Sequence, residues 1–115
     1  MSKPWPVRLA FQKSARRLAI TFEDGSAFAI PYELLRVESP SAEVQGHHPD
    51  QKQLVTGKAD VDVLEAEPVG RYAVRLKFDD GHSSGIFSWS YLHELGENAE
   101  TLMAEYRDRV QAAKR

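Results

Sequence analysis

At 115 residues and 42% hydrophobic side chains, with two Trp, five Phe and four Tyr, the chain holds the material for one cored domain that folds without staples. A formal charge of −2 and a pI near 6.1 give no overall positive field for a phosphate backbone or an anionic bilayer, which argues against nucleic acid and membrane as partners. The absence of cysteine removes disulfides, thiolate nucleophiles, cysteine-ligated iron–sulfur clusters and thiolate zinc sites.

Residues 1–6, with Pro4 and Pro6, read as a loose arm with Trp5 tucked onto the body. MSKPWPVRLAF lacks the apolar core and small-residue cleavage site of a signal peptide, and no apolar run nears the length of a membrane span, so a cytoplasmic protein is expected. Val7–Gln12 and Arg17–Phe22 alternate as strands around a Lys13–Ala15 turn. Glu23-Asp24-Gly25 predicts a hairpin turn, because glycine reaches positive φ without steric cost. Ser26–Ile30 returns as a strand, and Pro31–Arg36 starts a short helix with proline in its first turn.

Val37–Lys58 is a connection rich in Ser, Pro, Gly, Gln and His, and connections of this length inside small domains are often functional. Val61–Glu67 reads as a strand with a slip in its alternation, Pro68-Val69-Gly70 as a turn, and Arg71–Phe78 as a half-buried strand with Tyr72, Val74, Leu76 and Phe78 on one face. After Asp79-Asp80-Gly81, His82 should begin the return strand. Ser88–Leu95 turns helical and should stop at Gly96 as a left-handed cap. A last helix, 98–113, begins at Asn98 and carries Ala99, Leu102, Met103, Tyr106 and Val110 at helical spacing. These elements make an α+β fold of antiparallel β-hairpins in a small sheet, short helices and a packed C-terminal helix, in a single domain spanning 1–115. Phe22 to Phe78 and Gly25 to Gly81 span the same interval, and after a one-residue slip Leu34-Leu35 falls on Tyr91-Leu92. A duplicated unit of this kind predicts two similar hairpins facing one another.

Four histidines are the groups able to titrate near neutrality: His47, His48, His82 and His93. His93, between Trp89 and Gly96, reads as a helix-end residue favoured by the dipole. His47 or His48 with His82 and a carboxylate such as Glu43 or Asp50 is the chemically conceivable metal set, for zinc or iron, although adjacent histidines diverge and make poor joint ligands. Ser83, Ser84 and Ser88 read as strand and cap residues, there is no glycine-rich phosphate cradle, and the acid pairs Glu23-Asp24 and Asp79-Asp80 are explained by turn chemistry. The expectation is a protein that is not an enzyme.

Two segments, S-P-S-A-E-V-Q-G-H from Ser39 to His47 and F-D-D-G-H-x-x-G-I-F-S-W-x-Y-L from Phe78 to Leu92, carry a resemblance. From Leu18 to Gly96 the chain resembles the small domain at the N-terminus of gamma-butyrobetaine dioxygenase and trimethyllysine dioxygenase, which also stands alone in bacteria and is fused to Mrp-type iron–sulfur carrier ATPases. In the eukaryotic dioxygenases this domain holds a structural zinc through C-x-C-x-x-C after a Leu-Arg pair, plus a later histidine. Here Leu35-Arg36 matches the pair, the cysteine positions fall on Ser39, Ser41 and Val44, and the histidine falls on His82. The resemblance therefore implies the architecture without the zinc, and no resident cofactor. In place of the ion it suggests a hydrogen-bonded cluster of Ser39, Ser41, Glu43 and His82, with Trp89 as its apolar wall. The iron-bearing catalytic domain of the dioxygenases needs a few hundred further residues, which the stretch after Gly96 does not supply. The implied function is a non-enzymatic binding or adaptor module for a protein partner, with an iron–sulfur carrier ATPase as the partner suggested. Its binding patch would comprise Ser39, Ser41, Glu43, Gln45, His47, His48, Asp80, His82 and Trp89.

Overall fold

The alternation in the first third of the chain becomes a three-stranded antiparallel meander, β1 (Pro6–Gln12), β2 (Arg17–Phe22) and β3 (Ala27–Pro31), in the computed structural model, which describes residues 5–40, 55–83 and 85–113. Leu18, Ile20 and Phe22 alternate inward and are buried, and Ile30 joins them from β3. Pro31, whose fixed φ suits a helix start, caps α1 (Tyr32–Val37), in which all but Glu33 are buried. A second meander follows in β4 (Val63–Val69), β5 (Ala73–Phe78) and β6 (Gly85–Ser88), with Val74, Leu76, Phe78 and Phe87 facing inward. Ser88 caps α2 (Trp89–Glu97) by accepting from the Tyr91 amide at 3.1 Å, and α3 (Ala99–Ala113) closes the fold with Met103 and Tyr106 buried. The inward faces of both sheets and the three helices share one apolar cluster.

The duplicated unit is present in detail. In the two turns, Gly25 and Gly81 have φ of 89° and 93°, and their amides donate to the carbonyls of Phe22 and Phe78 at 3.0 and 3.1 Å. Asp24 Oδ1 accepts from the Ser26 amide at 2.9 Å as Asp80 Oδ1 accepts from the His82 amide at 3.1 Å. The Trp5 carbonyl accepts from Glu23 at 2.8 Å, as that of Asp62 does from Asp79 at 2.9 Å. The helix starts repeat as well: the Tyr32 amide donates to Arg16, and the Trp89 amide to Tyr72, both at 2.8 Å. Each first strand has an irregularity at its start, between Pro6 and Arg8 and between Val63 and Glu65. Ile20 pairs with Phe28 and Leu76 with Gly85, so the one-residue slip lies just past the second turn.

The units are cross-tied. From α1, Arg36 Nε donates to Asp80 Oδ2 in the second turn at 2.8 Å. From the equivalent position on α2, His93 Nε2 lies 3.4 Å from Ser26 Oγ in the first turn. Each helix thus grips the other unit's hairpin, and strand, turn and helix form one body.

Several expectations are corrected. Tyr72 is not on the inner face of a strand: β5 starts at Ala73, and Tyr72 sits 66% exposed in the turn that Gly70 opens with φ 61°. β4 runs through Pro68 and Val69, which the sequence suggested as turn. Gly96 is no left-handed cap: α2 continues to Glu97, and a Cβ at Gly96 would lie 2.5 Å from the Phe28 ring, so close approach explains the glycine. Pro6 opens β1 rather than closing an arm, while Trp5 before it is tucked onto the body as expected, its ring 5.3 Å from that of Tyr72.

Candidate binding site

The last turn of α1 is short and surrounded, so its polar residues have nowhere to go but inward. Arg36, Glu38 and Ser39 are buried there, and the second turn meets them with Asp80 and His82. Ser39 Oγ lies 2.9 Å from His82 Nε2, both groups are buried, and the Phe78 ring flanks the imidazole with centroids 6.0 Å apart. Gly85 makes this approach possible, because a Cβ there would overlap Ser39 Oγ. In the first unit the equivalent strand position is Phe28, whose ring fills that space against Phe22 and His93. Glycine in place of phenylalanine is what opens room for a polar centre in only one of the two units.

Asp80 anchors the cluster. Its Oδ2 takes Arg36 Nε at 2.8 Å and Lys58 Nζ at 2.6 Å, while Oδ1 takes the His82 amide. Partial burial opposes ionisation, but the hydrogen bonds from Lys58, the His82 amide and Arg36 together outweigh it and hold the carboxyl far below the usual carboxylate range. Tyr91 borders the site by donating its hydroxyl to the Glu38 carbonyl at 2.5 Å. Burial first, then the charges of Glu38 and Glu94, push its phenol well above the ordinary range, so it remains a donor.

Of the residues expected at a binding patch, Ser39, Asp80 and His82 come together here. Trp89 does not wall the cluster. It follows Ser88, which pairs with Ala73 at one end of β5, whereas Phe78 and His82 stand at the other end, roughly 16 Å along the strand. Trp89 instead donates its indole N–H to the Arg71 carbonyl at 2.7 Å. Ser41, Glu43, Gln45, His47 and His48 lie outside the described residues. Arg36, Lys58, Glu38 and Gly85 were not singled out as site residues. Arg36 and Gly85 stand within or beside the matching motifs, but nothing local in the sequence distinguishes a buried arginine from a solvated one.

His93 also differs from its expectation. It is 8% exposed rather than a helix-end residue, with Nδ1 2.9 Å from Glu97 Oε1 and its ring edge-on to Phe22 and Phe28 at 4.8 and 5.1 Å. The Ser26 hydroxyl donates to Asp24, so both nitrogens of His93 face acceptors.

The described donors do not fit the zinc of the eukaryotic relatives. Ser39 replaces a thiolate with a neutral hydroxyl, and that hydroxyl lies within hydrogen-bonding distance of the imidazole nitrogen that would have to reach a metal. Among the described residues no group of three or more His, Asp or Glu is clustered for a cation.

Comparison with known proteins places these features. Similar solved structures include two solution NMR structures, at 44% and 39% identity with TM-scores of 0.85 and 0.83, of which the matches cover 99% of this chain and 85% and 90% of their own. A crystal structure of a DUF971-family protein of unknown function from Acidithiobacillus ferrooxidans is 40% identical over 83% of this chain and 98% of its own, with a TM-score of 0.70. No curated protein matches. Residues 9–93, which take in both turns, both cross-ties and the Ser39–His82 pair, match the family described as gamma-butyrobetaine hydroxylase-like, N-terminal, and the chain belongs to that family.

Proposed function

We propose that the protein is a non-catalytic adaptor that presents the Asp79–Ser83 turn and the end of α1 to a protein partner. An iron–sulfur carrier ATPase is the partner class that the family resemblance suggests. The observation that carries this reading is the use made of the polar cluster: Asp80 is tied to Arg36, Lys58 and the His82 amide, and Ser39 to His82. A general base must be able to take a proton at working pH, and a carboxyl held this far down does not. What the cluster does supply is a fixed foundation under exposed residues, with Pro40, Asp79, Gly81 and Ser83 on the surface above it.

Affinity measurements between the purified chain and the carrier ATPase of the same cell test the proposal. Binding is expected, with a loss of about tenfold or more in Pro40→Arg and Ser83→Arg at unchanged melting temperature. Indifference to both substitutions, stoichiometric zinc or iron in the purified protein, or turnover of a substrate by the chain alone would overturn it.

A further inference from the structure

The two units provide an internal comparison of what an outer sheet face meets. On the second sheet, Glu65 and Glu67 of β4 stand opposite Lys77 and Arg75 of β5, and both cross-strand ion pairs measure 3.1 Å. That face neutralises itself, as a sheet facing water does.

The same face of the first sheet has a different composition. A register row of Ala10, Ala19 and Ala29 crosses all three strands, with Arg8, Thr21 and Ala27 above it and Gln12, Arg17 and Pro31 below it, so that Arg8 stands at a corner and Arg17 on the middle strand, its Nε donating to Gln12 Oε1 at 2.5 Å. Arg8, Arg17, Ala27 and Ala29 are exposed, and among the described residues Arg8, Arg16 and Arg17 make no ion pair. Lys3, Arg8, Lys13, Arg16 and Arg17 all precede Glu23, the first acidic residue of the chain, although the whole molecule carries −2. At the β3 edge the face runs into a groove of about 320 Å³ between sheet and α3, lined by Ala29, Pro31, Ala99, Glu100, Met103 and Arg107.

We propose that the outer face of β1–β2–β3 is a docking surface for an acidic helical segment of a partner protein. A helix layer is the usual cover for an apolar sheet face, and alanines across three strands let its backbone come close. The groove beside Met103, which Glu100 and Arg107 also line, receives a side chain from that helix, and the guanidinium groups of Arg8, Arg17 and Arg107 take its carboxylates in two-pronged pairs. The local excess of positive charge on a protein of net negative charge directs an acidic partner to this face rather than to the self-paired second sheet. The surface is separate from the Ser39–Asp80–His82 site, and the two proposals stand or fall independently.

The test is an NMR titration of the intact chain with three probes: an amphipathic helical peptide of Ala, Leu and Glu, the same peptide with Gln for Glu, and a single-stranded oligonucleotide. The Glu peptide is expected to shift the amides of Ala10, Ala19 and Ala29, and to bind at least about tenfold more tightly than the Gln peptide. The double variant Arg8→Glu/Arg17→Glu, and separately Ala29→Gln, should each weaken it by about tenfold, while Lys77→Gln on the outer face of the second sheet leaves it unchanged. All the docking-face substitutions are at exposed positions, and an unaltered melting temperature confirms the fold. Equal binding of Glu and Gln peptides, shifts confined to the second sheet, tighter binding of the oligonucleotide at these residues, or self-association of the chain through this face would each overturn the proposal.

Discussion

Gly85 and Ser39 compete for one small volume, and that competition decides the character of the site. A methyl group at residue 85 would meet Ser39 Oγ, so Gly85→Ala is expected to destabilise the protein by about 1–3 kcal/mol, read from urea unfolding. Adding Ser39→Gly should restore part of the loss, because it removes the atoms that the methyl strikes. A loss of the same size with and without Ser39 would show that the crowding lies elsewhere. Asp80→Asn removes the carboxylate shared by Arg36 and Lys58. The expected cost is about 2 kcal/mol, below the roughly 3–5 kcal/mol of a fully buried pair, since the Asp80 side chain is 18% exposed. Because the folded carboxyl is held below its unfolded value, its stabilisation is fully present above about pH 5 and drains away as the pH falls toward the folded value. Wild type should therefore lose more stability than the Asn variant between about pH 5 and pH 2; parallel acid profiles would refute the assignment. At this scale the motif around His82 was legible through its resemblance to known sequences. The role of Arg36 was not, because an arginine becomes a site residue only when folding brings a distant carboxylate to it.

At the scale of elements, most strands and turns followed from alternation and from glycine, while two helix details and the β4–β5 turn did not. Gly96 looks like a stop signal by sequence, yet it lies inside α2 where the Phe28 ring presses on the helix. Glycine to alanine inside a helix ordinarily gains about 1 kcal/mol. Here crowding against Phe28 costs about 1–3 kcal/mol, so Gly96→Ala should be destabilising in wild type and stabilising in a Phe28→Ala background. Melting of the four chains of that cycle measures the reversal; destabilisation in both backgrounds would restore the capping explanation, and stabilisation in both would remove the crowding. His93 escaped for a related reason. Its spacing along α2 is visible in the sequence, but its neighbours Phe22, Phe28 and Ser26 come from the other unit. The start of β5 was misplaced because alternation continues through Tyr72, whereas the backbone there is committed to the Gly70 turn.

For the molecule as a whole, the interval shared by the two Phe and Gly pairs was enough to expose the repeat, and the structure extends it to turn hydrogen bonds, strand irregularities and helix starts. The differences between units could not be read that way. Whether a sheet face carries paired charges or bare alanines depends on which strands become neighbours and in what register. The cross-ties from Arg36 to Asp80 and from His93 to Ser26 predict that the units open together. Hydrogen exchange should give the slowest amides of β2 and β5 a common opening free energy, and Arg36→Met with His93→Gln should split it into two values. Two separate values in the wild type would contradict the coupling.

Such reciprocity has a corollary for chain continuity. Each hairpin is clasped by a helix of the other unit, and both clasps join a residue before position 41 to one after position 54. Severed there, the molecule should behave as an obligate pair of fragments, each inert alone and recovering the native spectrum when mixed with the other.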